Sequence, residues 1–136
     1  MKDYDYQKRR AHEYLVPHTV YKQAVWAVKD LPRLKERLKE VQENAYYVGS
    51  HNLLLEGGTN GILSDTTANN AVELANISNR INAIENAFLM IPEKYRDGIR
   101  KHLINDMEFG DSAHPNTWKH WQQVYIFYTA KNLQLV

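Results

Sequence analysis

Six histidines are the first candidates for chemistry: His12, His18, His51, His102, His114 and His120. No two stand four residues apart, the spacing that places two imidazoles on one helix face, and no HExxH occurs. Without cysteine there is no thiolate ligand and no thiol nucleophile, so the sequence calls for no metal and no cofactor. The run Gly57-Gly58-Thr59-Asn60-Gly61 is rich in glycine, but it lacks the lysine and the preceding strand of a phosphate loop. The carboxylates fall on the charged faces of helical patterns, with no pair marked as an acid/base couple. No nucleophile elbow is present. Together these readings give no residue on which to rest an enzyme.

A different chemistry is offered by Asn116-Thr117-Trp118-Lys119-His120-Trp121-Gln122-Gln123. Asn116, Thr117, Lys119, His120, Gln122 and Gln123 carry amides, a hydroxyl, an ammonium and an imidazole, groups that read base edges or phosphates. A helix beginning here also favours an anion at its N-terminus. Trp118, Trp121, Tyr125 and Tyr128, at steps of 3, 4 and 3, should form the buried stripe of that helix. Asn116, Lys119, Gln122 and Gln123 should then face outward, with Asn116 also suited to the N-cap. The plain alternative is an amphipathic C-terminal helix with no nucleic-acid role.

Composition bounds the elements that must position these groups. The 136 residues suffice for one domain with an appended arm, and 43% hydrophobic with 24% charged residues is ordinary for a globular chain. Six glycines and four prolines exclude collagen-like and low-complexity architectures. The net charge of +1 is no nucleic-acid signature in itself, although both ends are mildly basic and the middle is acidic. Met1–Arg10 is polar, so no signal peptide is expected, and no apolar run is long enough for a membrane span.

Periodicity gives an all-α chain. Val20, Ala24, Ala27, Val28 and Leu31 mark a helix over His18–Asp30 after Pro17. A second helix, Pro32–Val48, carries Leu34, Leu38, Val41, Ala45 and Val48 as a heptad-like seam. Its outer face sets like charges four apart at Arg33/Arg37, Lys35/Lys39 and Glu36/Glu40, which disfavours the isolated helix. Residues 49–64 are expected as a Gly-rich loop. Leu74, Ile77, Ile81, Ile84, Phe88 and Ile91 make the strongest helix, Thr66–Met90. The two seams can pair as an antiparallel hairpin or serve a homo-oligomeric coiled coil. Further helices are expected over Pro92–Met107 and Asn116–Leu133, with Glu108–Pro115 as loop. The resulting division is an N-terminal arm (1–17), a helical hairpin (18–91) and a C-terminal module (92–136).

Ile84-Glu85-Asn86-Ala87-Phe88 followed by Ile91-Pro92-Glu93-Lys94-Tyr95-Arg96 resembles the junction that opens region 4 of sigma-70-type factors. Asp30-Leu31-Pro32-Arg33-Leu34-Lys35, the Gly-rich run, the long helix and this junction follow one another as in the RinA/ArpU group of phage transcriptional regulators. The closing segments Asn116–Trp121, Val124–Phe127 and Thr129–Leu133 resemble the last helix of that group. The resemblance spans roughly residues 18–136 and rests on the order of short motifs. It implies a divergent helix-turn-helix module that binds duplex DNA near late-gene promoters, with host RNA polymerase as a further partner, in the bacterial cytoplasm. One departure stands out: where the group has a scaffold helix, this chain has only Glu108-Phe109-Gly110-Asp111-Ser112-Ala113-His114-Pro115. Either Pro92–Met107 serves as scaffold, or the chain acts through protein contacts as a helical adaptor or structural phage protein.

Overall fold

The computed structural model describes residue 7, residues 12–54 and residues 60–136, and the side chains of all these except 12 and 45–67. The described residues form five α-helices: α1 (His18–Lys29), α2 (Leu31–Leu54), α3 (Asn60–Ala87), α4 (Glu93–Asn105) and α5 (Pro115–Asn132). Two short 3-10 turns, His12–Tyr14 and Phe88–Met90, complete them. No strand occurs among the described residues, so the fold is all-α. They divide into two compact units, one within Met1–Leu31 and Asn82–Val136, the other within Pro32–Ile81.

Helix α1 opens on Pro17, whose fixed φ and extended ψ make a ready entry, and Tyr21 N–H donates to the Pro17 carbonyl at 2.9 Å. Tyr21, Ala24, Val25 and Val28, spaced as one helical stripe, are fully buried. That stripe packs on α4 and α5, so α1 belongs with the C-terminal helices. The expected division, which placed residue 18 onward in one hairpin with residues up to 91, is corrected here. The physical reason is that the apolar stripe of α1 finds its cover on elements far away in sequence.

In the second unit, an ion pair ties α2 to α3. Arg37 donates to Glu73 across the pair at 2.8 Å through Nε, and to Glu40 one turn along its own helix at 3.3 Å. Leu34, Val41, Ile77 and Ile81 are buried, and Leu38 and Leu74 half-buried. A carboxylate from the facing helix thus offsets the like-charge spacing along α2.

The expected loop over 49–64 is also corrected. Helix α2 continues through Gly49 to Leu54 and α3 begins at Asn60, while 55–59 lie outside the described residues. A single glycine inside a helix costs about 1 kcal/mol, too little by itself to end one. At its other end α3 tightens into the turn Phe88–Met90, and Ile91 is extended (φ −120°, ψ 155°) ahead of Pro92. The proline ring excludes helical geometry from the residue before it.

The first unit is built around α5. Tyr125 is fully buried, its ring stacked on Phe88 at 4.0 Å, and its hydroxyl donates to the Ile84 carbonyl at 3.3 Å. Arg100 lies 4.3 Å above the other aromatic of that stack, Phe88, and donates to both oxygens of Glu85 at 3.1 and 3.0 Å. Asn132 Nδ2 donates to the Ala83 carbonyl at 3.0 Å, fixing the end of α5 to α3. Burial pushes the Tyr125 phenol well above the ordinary tyrosine value of 10.0. An acid whose folded pKa is raised contributes stability below its unfolded value and loses it as pH climbs. The stability of the chain should therefore fall above pH 10.0, where the unfolded state sheds this proton and the folded state keeps it. Ultraviolet titration of the phenolates should show the Tyr125 step only together with loss of helical circular dichroism; a step at the ordinary value with helix intact would contradict it.

Candidate nucleic-acid interface

The polar residues at the start of α5 take their places from the loop before it. His114 is the N-cap: it is extended (φ −62°, ψ 143°), and its Nδ1 accepts from Asn116 N–H at 3.1 Å. Pro115 occupies the first turn, where a missing N–H costs nothing. The N-cap role expected of Asn116 therefore falls to His114. The proline immediately after it holds His114 extended and starts the helix one position early.

Trp118 fixes the direction of the helix. It is 3% exposed, its indole N–H donates to the Gly110 carbonyl at 3.1 Å, and its ring stacks on Phe109 at 5.2 Å with 6° between planes. Phe109 in turn stacks on His102 of α4 at 3.9 Å, and His102 Nδ1 bonds the Met107 carbonyl at 2.8 Å. A carbonyl only accepts, so that ring nitrogen carries the hydrogen. Tyr95 meets the Trp118 ring edge-on at 5.2 Å. Residues 106–114 thus contain no helix, yet three rings and two hydrogen bonds hold them between α4 and α5. At the same junction Lys29 of α1 donates to the Leu103 carbonyl at 2.9 Å and pairs with Asp106 at 3.1 Å. Asp106 closes α4 in the left-handed region, with φ 55°.

Of the six expected reading residues, the first four gather at the open end of α5. Asn116 is exposed, and Thr117, Lys119 and His120 are half-buried. Gln122 and Gln123 are each 1% exposed, which corrects the expectation that they face outward. Gln123 Nε2 donates to the Tyr14 carbonyl at 3.2 Å, and Gln122 Oε1 is buried without a hydrogen-bond partner among the described residues. The reason lies in the surroundings of α5. Residues 122–126 are buried without interruption, because α1, α4 and both 3-10 turns all touch this helix. A helix enclosed on most sides has no polar face at its middle.

The aromatic stripe is inward as expected, although α4 does not cover all of it. Trp118 and Tyr125 are buried, and Trp121 and Tyr128 half-buried. Trp121 stacks on Tyr95 of α4 at 6.0 Å, whereas Tyr128 faces Tyr14 at 6.3 Å. Periodicity carried no sign of Tyr14 or Phe109, since neither belongs to a periodic segment and their partners lie on other elements. Among the described residues no group of three His, Asp or Glu side chains is placed to hold a metal ion. No helix among them is long and apolar enough to cross a membrane. No protein-family model, no curated protein and no solved structure matches this chain.

The contact between α4 and α5 depends on Gly98. A Cβ there would lie 2.6 and 2.7 Å from two carbons of the Trp118 ring, closer than atoms approach. Trp118 is wedged from all sides, so it cannot step aside cheaply. Gly98→Ala should therefore destabilise the fold by about 1–3 kcal/mol, despite the better helix propensity of alanine. Urea unfolding measures this, and a variant as stable as the parent would show that the contact is looser than described.

Proposed function

We propose that this chain is a DNA-binding transcriptional regulator of the phage type its sequence resembles. The observation that carries the reading is the way α5 is mounted. Asn116, Thr117, Lys119 and His120 sit on its first two turns, while its later turns are locked in the core. Recognition helices of helix-turn-helix proteins contact base edges through their N-terminal residues, and a rigid mount reduces the entropy lost on binding. Helix α4, packed on α5 through Gly98 and Trp118, supplies the scaffold that residues 108–115 do not. In this reading the ligand is promoter duplex, host polymerase is a further partner, the site of action is the bacterial cytoplasm, and no catalytic step is involved.

The competing reading, an adaptor that oligomerises through a coiled-coil seam, has less to support it. Leu34, Val41, Ile77 and Ile81 are already buried within one copy of the chain. A seam satisfied in this way has little left to gain from a second copy. Sedimentation should accordingly give a monomer.

Fluorescence anisotropy with duplex from the region upstream of the chain's own gene tests the DNA reading. Affinity should fall steeply with salt, and Lys119→Ala should flatten the logarithmic slope by about one if that ammonium meets one phosphate. Asn116→Ala should narrow the gap between this duplex and a random one, because an amide reads bases. No preference for the upstream duplex at about 50 mM salt, where phosphate contacts are strongest, would defeat the proposal.

A further inference from the structure

One stripe of α5 runs Asn116, His120, Gln123, Phe127, at steps of 4, 3 and 4. Such steps keep side chains in line along a helix. The stripe begins in the reading turns, and its continuation lies beneath another part of the same chain. The 3-10 turn His12–Tyr14 sets the Tyr14 ring edge-on to His120 with centroids 6.0 Å apart, and edge-on to Phe127 at 5.5 Å. The Tyr14 carbonyl accepts the hydrogen bond from Gln123 Nε2 at 3.2 Å. At the base of this turn the Gln7 side-chain amide bonds the Val16 backbone twice, donating to its carbonyl and accepting from its N–H, each at 3.1 Å. This turn therefore covers Gln123 on its stripe. Among the described residues, its contacts on α5 are ring contacts of Tyr14 and the bond from Gln123. Glu13 is exposed, and Tyr14 and Leu15 are only half-buried.

We propose that the turn carrying Tyr14 is an autoinhibitory strap, which covers the second half of the DNA-reading stripe and whose release frees His120 and Gln123 for duplex DNA. The inference rests on the DNA-binding reading above. Freed Gln123 would stand one helical turn beyond His120 on the reading stripe. Its amide suits the N6 and N7 edge of adenine, so the released form reads a longer site than the strapped one. The strap lowers apparent affinity by the fraction of molecules in which it is open. Tyr14 touches the reading residues His120 and Gln123 directly, which couples its position to theirs.

The test compares the full chain with Tyr14→Ala, Gln7→Ala and Tyr14→Ala/Gln123→Ala, using the same labelled upstream duplex. Tyr14→Ala should bind more tightly, by about tenfold if one molecule in ten is open in the parent. Gln7→Ala removes both bonds at the base of the strap without touching α5, and it should tighten binding too. Adding Gln123→Ala to Tyr14→Ala should take back a measurable part of the gain. Equal or weaker binding by both single variants, with helical circular dichroism intact, would overturn the strap. Exchange of the Gln123 side-chain amide with water, followed by NMR, separates the two failures. If no variant binds DNA, the DNA reading is lost. If Tyr14→Ala leaves that exchange unchanged, the strap is lost whatever the DNA result.

Discussion

The close approach of Trp118 to the backbone of α4 at Gly98 sets the geometry on which the C-terminal half depends. A six-membered ring lying on a helix backbone needs a position without a side chain, and α4 supplies one where the indole arrives. Once seated, Trp118 holds residues 106–114 through the Gly110 carbonyl and the face of Phe109. It also fixes the rotation of α5, because its neighbours Thr117 and Lys119 must then project to either side. The exposure of Asn116 at the start of α5 thus follows from a packing contact made by Trp118 two positions on.

In this unit, long-range donors satisfy carbonyls at the C-terminal ends of α3 and α4. Neither Pro17 nor Pro92 caps its helix through a side chain. At the other end of α4, Lys29 bonds the Leu103 carbonyl and Asp106, placing a cation where the helix dipole is negative. Arg96 donates to the Ile91 carbonyl at 3.1 Å, and Thr129 Oγ1 to the Tyr125 carbonyl at 2.9 Å. The hydroxyl of Tyr125 and the amide of Asn132 reach carbonyls of α3. The buried ones satisfy groups that would otherwise be costly to bury, and most of these bonds tie elements distant in sequence.

The two faces of α5 have separate consequences. Its inner side, with Tyr125 on Phe88 and Trp118 on Tyr95, makes the core. Its outer stripe is divided between open first turns and a stretch under Tyr14. A small unit without cysteine has only its aromatic and aliphatic side chains to build a core, and covering the outer stripe with a turn adds buried area cheaply. The open and the covered parts of that stripe meet at His120, which is half-buried beside the Tyr14 ring.

The positions of the helices were legible in the residues themselves. The steps of three and four from Leu74 to Ile91, the stripe Trp118 to Tyr128, and the prolines at 17, 32 and 92 located α1, α4 and α5, the start of α2 and the end of α3 within three residues. Those signals act within about four residues along the chain, the reach of one helical turn. Two features were decided only by tertiary structure. Helix α1 leaves its expected hairpin because its stripe is covered by α4 and α5. Gln122 and Gln123 are inside because three sides of α5 are occupied, one of them by Tyr14, more than a hundred positions earlier. Spacing along one helix tells which side chains share a face. How many faces are covered depends on elements arriving from elsewhere in the chain, and no local pattern encodes their number.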